Sequence, residues 1–314
     1  MKRRSWIGTV AAVPFALAPY GKAFAQPAGP VVRVGDAIGD PYAEGYYAAE
    51  GGFFQKGGLN VDFQSFSNGA PIGQGVVTGN LDIGIMTPLA VASAVTHGVP
   101  LVMIAPGGVN SAKAPAGYLL VTKSSPLNTA KDFEGKTIGV ATLRTLHELM
   151  LRAWFDKNGV EQSKVSLIEL TFGEMGAAVE RGTVSGAVEV EPLTSGLVNA
   201  GSVRVVAGPA TAIAEEILGA AWFCTRDYAQ KNPQVVRRFA GVMAEVARWA
   251  NTHRRESGDI QARVGKLNPE AVRGMARVTY AETMQVAQIQ PVLDAATKFG
   301  ILPRQVAASE LILR

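Results

Sequence analysis

The chain has 314 residues, of which 47% are hydrophobic and 18% are charged, and its formal net charge is +4. Four basic residues and no acid lie within residues 1–25 (Lys2, Arg3, Arg4 and Lys22), so the remaining chain carries no net charge. Nucleic acids and anionic lipid surfaces are recognised by concentrated positive charge, so we expect neither as a partner.

Residues 1–25 have the three parts of a secretory signal peptide. A positive start (2–4) is followed by an uncharged stretch (7–18) and by the small-residue cleavage site Ala23-Phe24-Ala25. The uncharged stretch is shorter than the roughly 20 residues that span a bilayer, and Pro14 interrupts it. We therefore expect cleavage near Ala25-Gln26 and a soluble periplasmic product. The adjacent arginines in the positive start leave twin-arginine export open beside the general route.

The cysteine and histidine content argues against a metal or a covalent catalytic site. Cys224 is the only cysteine, which excludes an internal disulfide, and its apolar neighbours predict a buried core residue. His97, His147 and His253 have no metal-ligand spacing, and no serine stands in a G-x-S-x-G elbow. We expect no cofactor, no metal and no catalytic residue.

Short apolar runs alternate with longer amphipathic stretches along most of the chain. The predicted strands are Val31–Gly35, Asn60–Gln64, Asp82–Met86, Leu101–Ala105, Tyr118–Thr122, Lys136–Ala141, Val165–Glu169, Gly186–Val190 and Val203–Ala207. Strands alternating with helices predict the α/β class, with parallel sheets and crossover helices.

This arrangement occurs twice. Each copy has a helix that ends on an aromatic pair, a lysine and a glycine, followed by a strand, a second helix and a third strand; the copies cover residues 46–84 and 149–187. Glycines after Lys56 and Lys157 fit left-handed helix ends. Two βαβαβ units in one chain predict two lobes with a cleft between them.

From about Ala221 onward the sequence predicts mainly helix. Asn232 and Pro233 are typical of a helix start, and an apolar face follows at Val236, Phe239, Val242, Met243, Val246 and Trp249. A last helix is expected to place Val286, Ile289, Leu293 and Phe299 on one face. We expect these helices to cover the sheet of the first lobe.

An ordered set of motifs resembles a known family. The segments "YYAAEGGFFQKGGLNVDF", "VVTGNLDIGI", "DFEGKTIGVATLRTLHELMLRAWFDKNGV" and "VERGTVSGAVEVEPL" look like the nitrate/sulfonate/taurine/thiamine-precursor group of substrate-binding proteins. The resemblance implies a type II periplasmic-binding-protein fold, with two α/β lobes joined by two hinge strands near Ala116–Thr122 and Ala220–Cys224. It places residues 26–115 and 225–314 in the first lobe and residues 116–224 in the second.

The same resemblance implies a function. Members capture a small molecule in the cleft and present it to the membrane permease of an ABC importer, so we expect a monomeric, non-enzymatic protein with such a permease as partner. The expected ligand is a small organic anion such as a sulfonate or an aromatic carboxylate. Glu174, Glu189 and Glu191 keep a nitrogen heterocycle or amine as the alternative.

Two other functions stay open at this point. A pyrimidine-synthesising branch of the group resembles this chain but carries a cysteine-rich cluster, and the single Cys224 and the predicted signal peptide argue against that activity. A sensor that binds a ligand and signals to a receptor is not separated from a transport protein by the sequence.

Ligands of open α/β sheets bind outside the carboxyl ends of the strands, which selects candidate residues in the first lobe. Asp40 is predicted to cap a helix that starts at Pro41, and Tyr42 either packs or contacts the ligand. Ser67, Asn68 and Gly69 suit backbone contacts with a ligand. Met86 ends a strand, and Thr87 either caps the next helix or faces the cleft.

The second lobe offers four candidates by the same rule. Thr145 is predicted to form a capping box with Glu148, and Arg144 either grips an anionic group or lies on the surface. Glu174 follows the next strand. Glu191 is expected to cap a helix, pair with Arg144 or accept from a ligand amine.

Overall fold

The computed structural model describes residues 29–37, 39–66 and 69–313. The predicted signal peptide and its cleavage site lie outside these residues, and so do Ser67 and Asn68. No helix in these ranges has the length and apolar character needed to cross a bilayer.

The described residues alternate between strands and helices. The strands are β1 Val31–Ala37, β2 Asn60–Phe66, β3 Ile83–Met86, β4 Leu101–Pro106, β5 Gly108–Ser111, β6 Tyr118–Thr122, β7 Thr137–Val140, β8 Ser166–Glu169, β9 Gly186–Glu189, β10 Val203–Ala207, β11 Glu216–Leu218, β12 Ala221–Thr225 and β13 Thr279–Tyr280. The helices are α1 Glu44–Glu50, α2 Phe53–Lys56, α3 Gly69–Thr78, α4 Pro88–Thr96, α5 Leu146–Lys157, α6 Phe172–Glu180, α7 Leu193–Ala200, α8 Arg226–Lys231, α9 Pro233–Thr252, α10 Arg254–Val264, α11 Pro269–Gly274, α12 Gln290–Lys298 and α13 Ala308–Leu311.

Two five-stranded sheets have matching topologies. The first has the order β2-β1-β3-β12-β4, and the second, read from its opposite edge, has the order β8-β7-β9-β6-β10. In each sheet one strand runs against its neighbours: β12 is antiparallel to β3 and β4, and β6 is antiparallel to β9 and β10. Each sheet and its covering helices form one lobe, so the α/β class and the two-lobed fold predicted from the sequence are confirmed.

The predicted parallel sheets differ from the observed ones in this one strand of each sheet. Strand β6 enters the second sheet, and β12 enters the first, where the chain crosses from the other lobe. Whether a strand runs parallel or antiparallel to its neighbours depends on the end of the sheet at which the chain enters. The local alternation of strands and helices along the chain does not reveal this. The apolar segment Ala221–Thr225 is accordingly a buried strand, and helix begins only at Arg226.

A small third sheet joins the lobes. Its order is β11-β5-β13, and β11 pairs antiparallel with β5 through Ile217 and Asn110. Strand β5 precedes β6 on the first crossing, and β11 precedes β12 on the second, so the crossings lie side by side. The predicted crossings overlap β6 and β12. The exact division at residues 115/116 and 224/225 stays a prediction.

Helix α9 covers the first sheet with the predicted apolar face. Val236, Phe239, Val242, Met243 and Val246 are buried, and Trp249 is partly buried. The Phe239 ring lies 5.1 Å from that of Trp222 on β12, in edge-to-face geometry. The prediction for the last helix is only partly right, because α12 starts at Gln290 and Val286 is 45% exposed before it.

Both copies of the repeated unit turn at a left-handed glycine. Gly58 after α2 has a φ of 71°, and Gly159 after α5 has a φ of 66°. A side chain is disfavoured in this conformation, so glycine lets each helix end and the next strand begin within a few residues. The predicted helix ends are confirmed.

Candidate ligand-binding cleft

The carboxyl ends of the parallel strands in each sheet define two surfaces. We call the segments after β1, β2 and β3 (residues 39–42, 69 and 86–87) the first wall. The second wall comprises the segments after β7, β8 and β9 (residues 142–145, 171–174 and 189–191). Open α/β sheets bind ligands at such edges, so the candidate site is the cleft between these walls.

In the first wall, Asp40 does not cap a helix as predicted. Gly39 stands at the cap position of a short 3₁₀ helix, Asp40–Tyr42, and no side chain caps it. The Asp40 carboxylate instead accepts from Arg277 Nε at 2.6 Å and from the Val278 amide at 2.7 Å. Because these partners are distant in sequence, the Asp-Pro pair could not reveal them.

Tyr42 occupies an intermediate position between core and cleft. Its ring packs against the apolar core, and its hydroxyl makes no hydrogen bond with any residue that the structure describes. Burial, with a smaller effect of the Asp36 carboxyl, raises the pKa of Tyr42 to about 12. Tyr42 therefore keeps its phenolic proton at neutral pH and offers a hydrogen-bond donor, so ligand contact stays a prediction.

Thr87, Met86 and Gly69 form the rest of the first wall. Thr87 Oγ1 accepts from the Ala90 amide at 3.1 Å, which confirms helix capping among its two predicted roles. Met86 is 7% exposed and packs against α3, where a Cβ on Gly73 would lie 2.9 Å from its Cε. Gly69 begins α3. The predicted ligand contacts of these residues stay predictions.

Two buried carboxyl groups lie behind the first wall. Asp36 Oδ1 accepts from the Ala37 amide at 2.7 Å, and Glu44 Oε2 accepts from Trp222 Nε1 at 3.2 Å. Burial is the main reason that the pKa of both groups is well above the usual range. Burial therefore favours the protonated, uncharged form of both groups.

In the second wall, Arg144 does not pair with Glu191. Its Nη2 donates to the carbonyl oxygens of Gly300 at 3.2 Å and Ile301 at 2.9 Å, and both belong to the C-terminal segment. Its φ of 59° is unusual for a non-glycine residue, and Glu148 holds its amide through a 2.5 Å hydrogen bond. The Nη2 group of Arg144 is thus occupied by these two carbonyls.

The predicted capping box of Thr145 with Glu148 does not form. Thr145 Oγ1 donates to the Thr142 carbonyl at 2.7 Å. Glu148 accepts from the Arg144 amide and from Arg152 Nε, the latter at 2.6 Å. The left-handed turn at Arg144 brings its amide, one residue earlier than expected, to the carboxylate.

Glu174 and Glu191 both cap helices. Glu174 Oε2 accepts from the amide and the hydroxyl of Thr171, at 3.0 and 2.7 Å, and is exposed. Glu191 accepts from the Ser195 amide at 3.1 Å and hydroxyl at 3.0 Å, which confirms the capping role. The ligand roles of these two acids are still predictions.

Acidic side chains concentrate where β9 ends. Burial raises the pKa of Glu189 to about 8, and it also raises that of Glu191, with a further contribution from Asp40 across the cleft. Glu189 Oε1 accepts from the Val190 amide at 3.0 Å, while its buried Oε2 has no partner within the described residues. Neither acid forms an ion pair with a described residue.

His147 lies beside this wall, although no local pattern of residues marked it as a candidate. Its ring meets Phe172 edge-on at 5.6 Å, and it hydrogen-bonds the Ala116 backbone at the first crossing. Burial outweighs this bond and lowers the pKa of His147 to about 4. The ring is therefore neutral at physiological pH. Within the described ranges, no three metal-ligating side chains form a cluster.

Three comparisons place the chain among known proteins. The NMT1/THI5-like family profile matches residues 41–257. The taurine-binding periplasmic protein of Escherichia coli K12 is 28% identical over 197 residues, which is 61% of this chain and 58% of that protein. The chain spans about three fifths of the length of the curated relatives of this kind.

Solved structures extend the similarity to both lobes. The periplasmic aliphatic sulphonate-binding protein SsuA of Escherichia coli superposes with a TM-score of 0.76 at 19% identity, covering 91% of this chain and 93% of that one. The periplasmic nitrate-binding protein NrtA of Synechocystis PCC 6803 gives 0.74 at 17% identity, covering 89% and 84%. The chain therefore belongs to the NMT1/THI5-like family and has the two-lobed periplasmic-binding-protein fold.

Proposed function

We propose that this protein is a non-enzymatic, extracytoplasmic solute-binding protein that encloses a small organic molecule and delivers it to an ABC import permease. The observation that carries the proposal is the pair of matching sheets, whose strand ends form two walls and whose crossings lie together in one small sheet. Such a pair of lobes closes about its crossings when a ligand contacts both walls, because those contacts favour the closed form.

The ligand is a small organic molecule with an anionic group, such as a sulfonate or an aromatic carboxylate. Helices α4, α5 and α6 begin at the strand ends that form the walls, and helix N-termini present free amides and a partial positive charge. Taurine and aliphatic sulfonates, which the relatives' names give as their ligands, carry such a group.

An amine or a nitrogen heterocycle is the second candidate. Glu189 and Glu191 lie at the end of β9 without a cationic partner among the described residues, and they are suited to accept from N–H donors. A ligand with both a sulfonate and an ammonium group would use the helix ends and the acids together.

Three small molecules separate these alternatives. Taurine carries both groups, ethanesulfonate carries only the anion, and ethylamine carries only the cation. We expect taurine and ethanesulfonate to raise the thermal unfolding midpoint, with about 2.7 kcal/mol of stabilisation at 100 times the dissociation constant. Stronger stabilisation by ethylamine than by ethanesulfonate would favour the amine candidate.

A second experiment with the same ligands tests the mechanism through the shape of the molecule. X-ray scattering should show a smaller radius of gyration at saturating ligand with an unchanged monomer mass. A panel extended to nitrate, aromatic carboxylates and aminopyrimidines covers the remaining candidates. If no member of that panel stabilises or compacts the protein, the proposed function is wrong.

A further inference from the structure

Two buried polar atoms of the second lobe have no hydrogen-bond partner among the described residues. They are Glu189 Oε2 and Thr194 Oγ1, and the two residues are 0% and 3% exposed. Buried polar groups of native proteins are almost always hydrogen-bonded, because an unpaired group has lost its contacts with water and gained nothing in return. These two atoms are therefore candidates to bind a group from outside the protein.

Both residues lie where β9 ends, at the edge of the sheet that forms the second wall. Glu189 is the last residue of β9, and its Oε1 accepts from the next amide, that of Val190, at 3.0 Å. Thr194 lies in the first turn of α7, where its amide donates to the Val190 carbonyl at 3.0 Å. Both side chains are thus fixed to the same end of the same strand.

Tyr118 of the crossing strand lies beside Glu189. The two residues are directly paired in the antiparallel ladder of β6 and β9, so their side chains project from the same face of the sheet. The Tyr118 ring is partly buried against the apolar cluster that covers this face. An aromatic ring therefore adjoins the buried carboxyl group at the edge of the cleft.

Helices α6 and α7 cover the same face. Leu197 of α7 packs so closely on α6 that a Cβ on Gly176 would lie 2.5 Å from its Cδ2. Thr194 precedes Leu197 by three residues and so lies on the same side of α7. Phe172 is the first residue of α6, and its partly exposed ring packs on the same cluster as Leu197. One face and one end of the second sheet thus carry four residues: Tyr118, Phe172, Glu189 and Thr194.

We propose that these four residues form a subsite of the ligand-binding cleft that takes a planar aromatic ring with an uncharged hydroxyl or amino group. The rings of Tyr118 and Phe172 offer surfaces against which another ring packs, and Glu189 and Thr194 offer the two unpaired oxygens to its substituent. Burial raises the pKa of Glu189 to about 8, so its carboxyl group needs no cation at neutral pH. The subsite rests on the proposed function and narrows its ligand to an aromatic one.

Three sulfonates test the ring and its substituent separately. Ethanesulfonate has neither, benzenesulfonate has the ring, and 4-hydroxybenzenesulfonate has both. Isothermal calorimetry on the parent protein should show an affinity that rises in this order by about fivefold at each step, since a ring contact and a hydrogen bond each contribute on this scale. Equal affinities at either step would overturn the proposal.

Two substitutions connect these steps to the named residues. Thr194→Val removes the hydroxyl and keeps the shape of the side chain, so it should weaken 4-hydroxybenzenesulfonate by about fivefold and leave the other two ligands unchanged. Phe172→Leu should weaken both aromatic sulfonates by about fivefold and leave ethanesulfonate unchanged. The matched controls are Thr252→Val and Phe299→Leu in the first lobe, which should change none of the three affinities.

General damage to the fold would weaken all three ligands alike, and that pattern in either variant would overturn the proposal. If Thr194→Val does not fold, Phe172→Leu and the three affinities of the parent still test it. Should carboxylates bind in place of sulfonates, propanoate, benzoate and 4-hydroxybenzoate give the same comparison. Binding of cationic amines alone would also overturn the proposal, because the subsite is assigned to an uncharged group.

Failure of this inference is distinguishable from failure of the proposed function. A protein that binds and closes around ethanesulfonate or taurine without preferring the ring keeps the proposed function and loses only the aromatic subsite. A protein that binds no member of the ligand panel loses both.

Discussion

The two lobes share a strand order but differ at matched strand ends. Strand β3 ends at Met86, opposite Ala221 of the crossing strand β12, and β9 ends at Glu189, opposite Tyr118 of the crossing strand β6. The backbone pattern is the same, yet a thioether stands in one lobe where a carboxyl stands in the other. The fold thus fixes where the walls lie, and a few side chains fix their chemistry.

The acidic side chains of the two walls also differ in the groups that they contact. In the first, Asp40 has a buried cationic partner in Arg277, and burial favours the protonated form of Asp36 and Glu44 behind it. In the second, Glu189 and Glu191 are stabilised by amide and hydroxyl donors alone. The first wall therefore balances Asp40 with a cation of the same lobe, whereas Glu189 and Glu191 of the second wall have no cationic partner among the described residues.

Breaking the buried pair should have the largest effect. Asp40→Asn leaves the guanidinium of Arg277 buried without its counter-charge, and we expect a loss of about 3–5 kcal/mol in the free energy of unfolding. Denaturant unfolding at pH 7 measures it. The matched control is Glu282→Gln, which breaks the exposed Arg248–Glu282 pair and should cost at most about 1 kcal/mol. Equal losses for both variants would contradict the balanced first wall.

The Asp40–Arg277 ion pair is also an example of a feature that could not be predicted from the sequence. The positions of the strands were predicted from alternation and turn residues, because those signals are local, and the predicted β2, β4, β6 and β10 agree with the structure to within two residues. Asp40 and Arg277 lie 237 residues apart, so the local Asp-Pro pattern predicted a helix cap instead. Arg277 lies just before the short strand β13, and no other local feature of the sequence marks it as a partner of Asp40.

Three short strands and the surroundings of the His147 ring were not predicted either, because they also depend on residues that are distant in sequence. β5, β11 and β13 have two to four residues each and are stabilised by one another across the chain, so no periodicity develops within them. The low pKa of His147 comes from its burial, and the ring that it contacts, Phe172, belongs to another element. The candidate site was therefore located by topology, while the hydrogen bonds that occupy Arg144 and Thr145 needed the structure.

The raised pKa of Glu189 in the second wall should make the free energy of unfolding depend on pH. The pKa of Glu189 is about 8 in the fold, against an ordinary value near 4.5. Between these values the folded protein holds a proton that the unfolded chain lacks, so raising the pH lowers the free energy of unfolding. Glu189→Gln removes this effect. Relative to the parent, its stability should rise by about 3 kcal/mol from pH 5 to pH 8.

Glu174→Gln supplies the control for this measurement. Glu174 belongs to the same wall, but its hydrogen bonds to Thr171 lower its pKa, so its titration lies below the pH 5–8 window. Its stability relative to the parent should stay constant across that window in denaturant unfolding. A constant difference for Glu189→Gln as well would mean that the pKa of Glu189 is the same in the folded and unfolded protein, and that Glu189 does not hold a proton in the second wall at neutral pH.

Each wall also contains a threonine at a helix start, and we expect its substitution to have a smaller effect on stability. Thr87 caps α4 in the first wall, and Thr171 makes two hydrogen bonds to Glu174 at the start of α6 in the second. We expect Thr87→Ala and Thr171→Ala each to lower the free energy of unfolding by about 1 kcal/mol. Because both hydroxyls are occupied by their caps, calorimetry should give unchanged affinity for taurine or ethanesulfonate. Weaker binding in only one variant would assign that hydroxyl to the ligand.

The smallest effect is expected at Arg144. Its guanidinium is exposed and donates to the carbonyls of Gly300 and Ile301, so Arg144→Met should cost about 0.5–1 kcal/mol of stability and leave the affinity for ethanesulfonate nearly unchanged. Arg226→Met in the first lobe is the matched control, since Arg226 is also exposed and donates to a carbonyl of the C-terminal segment, that of Glu310. Isothermal calorimetry on both variants compares them directly. If only Arg144→Met weakens anion binding, and by about 1.5–3 kcal/mol, the guanidinium binds the ligand. The second wall would then carry a positive group of its own beside Glu189 and Glu191.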